Sequence, residues 1–478
     1  MSLRGVRNAN AIYFKFSQKW EKCRDVINGE DAVKFKKEKY LPRLSGMDDQ
    51  EYRDFLLRSQ FYNATGRTLD GLAGMLGRKP VIITVPKGME KYLNNVDGKG
   101  HTASQFILMC AKDTLETGWG SVLIDMPKAE GVESQSEFEN LGLYAYMTYY
   151  NAESSINWRW ASNGRQQNLK YVILKEKVLE DKDNYTTELK HYYRVLEIDE
   201  NGNYTQTLYN DKDEIIDVVT PKWKQGTFKQ IPFSFLSSKE EPEEPILLDL
   251  VNVNLSHYRK SADLENGGHL TGVPTPYGQG FDPELDDNGK PKPFELGGSR
   301  FKYLPSGASL SYLEFSGSGC NLLRIMMADD EERMATLGAR IIAQQKKGVE
   351  SAETAKIHNS AENSVLANFA NSLSDTFSKL LRIYLEWSTG TQISQDDVRV
   401  TINTDYDVAT MSPAELTALV ALWQNGGIAK SDMQKKLKEG EILDADRNLD
   451  EMNAEIEEEQ IAKTAQVMAL QSSMGQEK

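Results

Sequence analysis

The chain has 478 residues, 39% of them hydrophobic, with 56 Lys and Arg against 71 Asp and Glu, so its formal net charge is −15. That length allows two to four domains with sizeable cores, and the charge is opposite in sign to the basic footprint of a protein that grips nucleic acid. The longest apolar stretches, such as Val81-Ile82-Ile83 and 418–422, fall far short of a membrane span.

The N-terminal stretch MSLRGVRNANAIYFKF lacks the apolar core and small-residue cleavage site of a secretory signal, which points to the cytosol at synthesis. In DDQEYRDFLLRSQFYNATGRTLDGLAGMLG, Tyr52, Phe55, Leu56, Phe61, Tyr62, Leu69, Leu72 and Leu76 recur at helical spacing, with a break expected near Gly66. Pro80 stops the helix and VIITV reads as a strand. Thr102 and Gln105 form a capping box that opens the helix SQFILMCAKDTLETG, Gly118 ends it, and WGSVLIDMP returns as a strand.

From 168 to 220 the pattern changes to short β-rich runs separated by Asn, Asp and Gly, notably Asn201-Gly202, which predicts an antiparallel meander. KEEPEEP (239–245) reads as an acidic, proline-bearing linker and a domain boundary. ILLDLVNVNLSHYRKSADLENGG then predicts a helix over 246–267, followed by a Gly- and Pro-rich stretch, 268–317, read as a small β-containing module with a turn at Asn288-Gly289. A second helix is expected over 318–343, a break over 344–351, and a long helix over 352–389, about 55 Å at 1.5 Å per residue. DVRVTINTDYDV supplies a strand. SPAELTALVALWQNGG carries a full helix signature, with Ser412 as N-cap, Pro413 at N1, Glu415 at N3 and Gly426 or Gly427 beyond the end. Ser431 caps a further short helix, and the tail from Asp444 reads as a solvated acidic helix.

The sequence offers little enzyme chemistry. His101, His191, His257, His269 and His358 are isolated from other candidate ligands. Cys23, Cys110 and Cys320, odd in number and widely separated, argue against a disulfide framework or zinc site and for a reducing compartment. No zinc-protease, nucleophile-elbow, Walker A or dinucleotide fingerprint occurs, and Gly71, Gly74 and Gly77 do not sit between a strand and a helix as a phosphate loop would. DENGN lacks the glycine and closing glutamate of a calcium loop. The tryptophans of NWRW (157–160) have two readings, base stacking or core packing, and no basic groove surrounds them. The chain is therefore expected to be neither an enzyme nor a metal or cofactor protein, and to have no membrane partner.

The order of elements, together with the stretches YRDFLLRSQFYNATGRTLDGLAGMLGRKP and DADRNLDEMNAEIEEEQ, resembles the portal proteins of tailed bacteriophages along essentially the whole chain. The resemblance implies an α+β, mainly helical fold. Its parts would be a wing (1–245, with the meander), a first stem helix (246–267), a clip (268–317), a second stem helix (318–343), a tunnel loop (344–351), a long wing helix with a returning strand (352–411) and a crown (412–478). It further implies a homo-oligomeric ring of about twelve copies at one vertex of the virion, assembled in the host cytoplasm, and a formal ring charge near −180 that keeps phosphates from adhering. Double-stranded DNA would pass without sequence recognition. The expected partners are the terminase large subunit, a tail or connector protein, and the major capsid and scaffolding proteins. Another structural head or connector protein is the alternative reading.

Site residues follow from the same resemblance. The tunnel loop would comprise Gln344, Gln345, Lys346, Lys347, Gly348, Val349, Glu350 and Ser351, with Lys346 and Lys347 touching DNA or merely offsetting a helix dipole. Asp329, Asp330, Glu331 and Glu332 would help line the channel, at most two of them facing the lumen, or pair with Arg333 or Arg340. Phe281, Phe294, Phe301 and Tyr303 would dock partners or seal neighbouring clips.

Overall fold

The computed structural model describes residues 5–127, 144–164, 166–223, 226–237, 239–272, 275–280, 282, 285–292, 304–313, 317–342, 364–406, 413–439, 442–443 and 447–458. It divides into two compact units, Met1–Tyr406 and Asp407–Lys478.

In the first unit, Asn10 caps α1 (Ala11–Ile27) by accepting from the Tyr13 N–H, and the helix buries Phe16, Trp20, Cys23 and Val26. The short α2 (Glu30–Phe35) follows. Asp48 and Glu51 form a capping box at the start of α3 (Asp49–Arg58), and α4 (Ala64–Leu76) buries Leu69, Leu72 and Leu76. The break between α3 and α4 falls at 59–63, not at Gly66. Asn63 caps α4 through the Gly66 N–H, and Gly66 sits where an added Cβ would lie 2.7 Å from Asn63 and 2.8 Å from the Ile27 carbonyl. Close approach, not chain bending, requires that glycine.

β1 (Ile82–Thr84) leads to α5 (Ala103–Thr117), which has the Thr102–Gln105 capping box and ends at Gly118, in the left-handed conformation at φ 73. β2 (Gly120–Asp125) and β3 (Tyr146–Asn151) pair antiparallel. Then come β4 (Ser155–Asn163), β5 (Gln166–Asp181), β6 (Thr187–Ile198), β7 (Tyr204–Tyr209) and β8 (Ile215–Val219), an antiparallel meander in sequential order. The meander starts earlier than its turn signals suggest, because β4 contains NWRW. Trp158 packs against Trp119 and Phe235, so this tryptophan is core. β9 (Lys222–Trp223) and β10 (Gly226–Thr227) pair with each other, and β11 (Phe233–Phe235) joins β2.

Residues 239–245 do not separate domains. Pro242 and Pro245 are buried, Pro245 lies against Gly118, and the Trp160 indole donates to the Glu240 carbonyl. α6 (Leu248–Gly272) and α7 (Ser318–Ile342) follow, with β12 (Thr275–Gln279) and β13 (Ser309–Leu313) paired between them. α6 runs five residues past its expected end. Asn288-Gly289 lies in a turn closed by the Gly289 N–H to Asp286 carbonyl bond, with Gly289 at φ 76.

The expected helix over 352–389 opens only at Ser364, whose extended backbone and side-chain bond to the Ala367 N–H cap α8 (Val365–Thr389). Residues 352–363 lie outside the described residues. α8 is the central core helix. It buries Leu366, Leu373, Phe377, Leu380, Leu381 and Leu385, each contributing roughly 1.5–3 kcal/mol. β14 (Arg399–Thr401) pairs with β1 and is held to α8 by two serines: Ser378 Oγ accepts from the Val400 N–H at 2.9 Å and Ser374 Oγ from the Ile402 N–H at 3.0 Å. The fold is α+β.

In the second unit, α9 (Pro413–Gln424) ends where Gly426 takes φ 74, and α10 (Lys430–Glu439) follows. Ser431 lies inside α10, not at its cap, because Ala429 already accepts from the Asp432 N–H. Ser412 lies outside the described residues. Residues 449–458 are helical, and Gln434 donates to Asn453 at 2.8 Å.

Candidate functional site

The most distinctive surface is the α6–α7 pair with its β12–β13 tip. Each helix has 25 residues, about 37 Å. Three contacts fix an antiparallel register: His257 meets Glu331, Lys260 meets Asp330, and a Cβ at Gly267 would stand 3.1 Å from Cys320 Sγ. The first half of α6 is rooted in the body. Leu250, Val251, Leu255 and Tyr258 are buried, and Asn254 accepts from the Thr65 N–H and hydroxyl while donating to the Tyr62 carbonyl. Beyond Ala262 the helix has no buried residue, and from Gly268 it is exposed. α7 buries one stripe, Asp330, Met334, Gly338 and Ile341, and leaves 321–329 largely exposed.

The four acids of α7 therefore have different surroundings. Asp330 is 2% exposed and accepts from Lys260 Nζ at 2.5 Å, with Arg333 at 3.6 Å. It points into the pair, because position 330 falls on the buried stripe. Glu331 Oε1 lies 3.3 Å from His257 Nε2. Asp329 and Glu332 line an open groove of about 530 Å³ with Val253, Arg333, Thr336, Leu337 and Arg340. On the same outward side, one and two turns back along α7, Leu322, Ile325 and Met326 are exposed. At the tip, Tyr277 and Tyr312 are exposed as well.

The tunnel-loop residues (344–351) and the clip aromatics Phe281, Phe294, Phe301 and Tyr303 all lie outside the described residues.

A second constellation is announced by no local motif. A cavity of about 680 Å³ lies between the meander and α5, lined by Asp113, Asp125, Tyr149, Glu153, Glu176 and Arg194 among others. Most of its charges are paired. Arg24 from α1 reaches Asp113 at 2.7 Å, Glu116 at 2.6 Å and Glu153 at 3.0 Å, while Arg194 reaches Glu176 at 2.7 Å and Gln206 at 3.0 Å. Burial opposes the charge of both guanidiniums, but hydrogen bonds to Asp113 and Glu153 in one case, and Glu176 in the other, outweigh it and hold them cationic. The Tyr149 hydroxyl donates to Asp113 and that of Tyr150 to Glu176. This cluster fastens the meander to the helical body. Its members come from α1, α5, β3, β5 and β6 and the turn after β3, so no local motif announces them. Among the described residues no group of three or more His, Cys, Asp or Glu is placed to hold a metal ion, and no helix is long and apolar enough to cross a membrane.

A family model described as a domain of unknown function (DUF4055) matches residues 246–388, from the start of α6 to the end of α8 and less than a third of the chain. No curated protein matches. Among solved structures, the chain is similar to the neck of a native gene transfer agent particle computed with C12 symmetry (13% identity, TM-score 0.34, covering 80% of this chain and 93% of the other). It is similar to the neck of an empty particle computed with C6 symmetry (13%, 0.36, 81% and 91%) and to the virion of a native gene transfer agent particle (12%, 0.35, 85% and 98%).

Proposed function

We propose that this chain is a subunit of a phage portal, a closed ring at one capsid vertex through which double-stranded DNA enters during packaging and leaves on ejection. The observation that carries the reading is the projecting α6–α7 pair: two antiparallel 25-residue helices, rooted in the body at one end and tipped by a β-hairpin at the other, with Leu322, Ile325 and Met326 uncovered on the outer side of α7. An apolar helix face left in water forfeits burial energy, and repetition around a ring covers it. The family resemblance of the sequence supplies the same order of stem, clip and stem. The net charge of −15 suits a conduit that must release DNA.

Within this reading Asp329 and Glu332, on the same side of α7 as Leu322 and Ile325, lie where the subunit interface opens onto the channel. Lys346 and Lys347 form a narrow basic collar, and the clip residues Phe281, Phe294, Phe301 and Tyr303 dock first the terminase large subunit and then a tail or connector protein. Capsid and scaffolding proteins surround the wing, and the assembled ring resides in the virion. Negative-stain imaging with light scattering tests the proposal. Rings with a central hole and a mass near 650 kDa, about twelve times that of the chain, are expected. A chain that stays monomeric across micromolar concentrations, with and without the other head proteins, overturns it.

A further inference from the structure

The meander carries a feature that the helix pair does not explain. β4 flanks β5 only as far as Leu174, and β7 flanks β6 only from Tyr193 onward. Beyond those points β5 and β6 continue alone for six pairs, from Glu176↔Tyr192 to Asp181↔Thr187. The result is a two-stranded arm about 20 Å long at 3.3 Å per residue. Its two faces differ. On one, Glu180 is bound by Lys190 and by the Tyr192 hydroxyl, so the polar groups satisfy each other. On the other, Leu179 and Leu189 stand directly opposite each other at 66% and 52% exposure, between the pairs Lys177↔His191 and Asp181↔Thr187, and Tyr185 at the turn is 97% exposed. A two-stranded ribbon of this size holds together poorly in water unless a face is covered.

The far side of the same sheet offers a matching surface. The β4 edge is covered: the Asn10 N–H donates to the Ile156 carbonyl, and Glu240 takes the Trp160 indole. β8 is the other edge strand, and among the described residues no strand pairs with its outer side. It exposes Ile216 and Val218, and the turn before it carries Asp211 and Glu214, with Lys212 between them and Asp213 already held by Arg7 at 3.0 Å. Val218 lies opposite Thr207, and Thr207 opposite Val195, so Val218 is on the sheet face that also carries Leu189, two strands away. An apolar face with Lys177 at its base thus has, elsewhere on the same chain, an apolar edge beside Asp211 and Glu214.

We propose that the β5–β6 arm docks on a second copy of this chain, with Leu179 and Leu189 covering Ile216 and Val218 at the neighbour's β8 edge and Lys177 beside the acidic 211–214 turn. Each copy presents one arm and one receptor at different places, so the contact is head-to-tail, the type that closes into a ring. The charge pairing sets register and partner choice. The inference rests on the ring reading above, since it needs neighbours on both sides.

The test uses the full chain in a Cys320→Ser background, because Cys23 and Cys110 are buried. Leu179→Cys chains and Val218→Cys chains are oxidised under mild conditions, separately and mixed. A covalent dimer in the mixture and none in either alone is expected. In parallel, Leu179→Ser/Leu189→Ser should raise the concentration at which rings dissociate by at least about tenfold, with the circular dichroism spectrum unchanged. Rings that form normally with the serine variant and give no cross-link overturn the arm while leaving the ring reading intact. A wild-type chain that light scattering finds monomeric removes both. Capture of the arm cysteine in whole particles by a different head protein, and not by a second copy, also overturns the proposal.

Discussion

Lys260 on α6 and Asp330 on α7 meet at 2.5 Å inside the helix pair, with the carboxylate 2% exposed. A buried ion pair of this kind adds little net stability, yet losing one partner strands the other's charge. Lys260→Met should lower stability by about 3 kcal/mol, while Lys260→Met/Asp330→Leu should recover most of that loss. Urea unfolding of the four chains of the cycle measures it. A double variant as unstable as the single shows that the pair holds the helices by more than its charge.

Gly66 and Gly71 lie five residues apart in α4 and should respond oppositely to alanine. A Cβ at Gly66 meets Asn63 at 2.7 Å and the Ile27 carbonyl at 2.8 Å, whereas one at Gly71 meets nothing within 4 Å. Gly66→Ala should destabilise by about 1–3 kcal/mol as the cap is pushed aside. Gly71→Ala should stabilise by about 0.5–1 kcal/mol through helix propensity. Denaturation midpoints decide both.

The misplacement of the α3–α4 break shows where sequence patterns stop. The periodicity of Leu69, Leu72 and Leu76 was legible, as were the Thr102–Gln105 capping box and the turn at Asn201-Gly202, because each is a local rule acting over a few residues. The need for glycine at position 66 comes from the Ile27 carbonyl, thirty-nine positions away, and is invisible locally. The same holds for the linker reading of 239–245. Its prolines and acids resemble a boundary, but tertiary contacts to Gly118 and Trp160 bind it into the body. Of the acids on α7, sequence alone could say that four consecutive residues face different ways. Only Lys260, seventy positions away, identifies Asp330 as the one turned inward. Arg24 lies 89 positions from Asp113 and farther still from Glu116 and Glu153, which is why no local motif announces the cluster.

Asp97 gives a pH dependence whose sign is fixed. Burial would raise its pKa, but the His101 side chain and the Lys99 and His101 N–H groups outweigh that and hold it below the ordinary aspartate value. A carboxyl whose folded pKa is depressed adds stability that is fully present above its unfolded value, near pH ~4, and that is lost as pH falls through the folded value. Asp97→Asn should therefore be less stable than wild type at pH 7 by about 1 kcal/mol. The gap should close as pH falls through the folded value. Thermal unfolding of both chains at a series of pH values reads the gap directly, and a gap that stays constant to low pH refutes the assignment.

Lys346 and Lys347 are the cations proposed to touch DNA. Contacts to phosphate carry no sequence preference and weaken as salt rises. Lys346→Ala/Lys347→Ala should leave rings intact while lowering the amount of DNA packaged or retained, with the deficit largest at low ionic strength. Particles of the double variant that fill and hold full-length DNA as wild type does would leave the lysines only a helix-end role.

The outer face of α7 carries the ring proposal and can be tested by itself. Leu322 and Ile325 are 59% and 61% exposed, one turn apart on the same face, so polar replacements there break no contact within the chain. On the monomer alone, Leu322→Ser/Ile325→Ser should change stability by less than about 0.5 kcal/mol, as surface substitutions do. In a ring, each copy would lose two buried aliphatic side chains, on the order of 3 kcal/mol per interface. Repeated at every interface, that loss should convert rings to monomers at concentrations where wild type is fully assembled. Sedimentation velocity separates the two forms, and circular dichroism reports whether the chain is still folded. A folded variant that assembles at the wild-type concentration would mean that this face is not an interface, and the helix pair would then need another reason for its length.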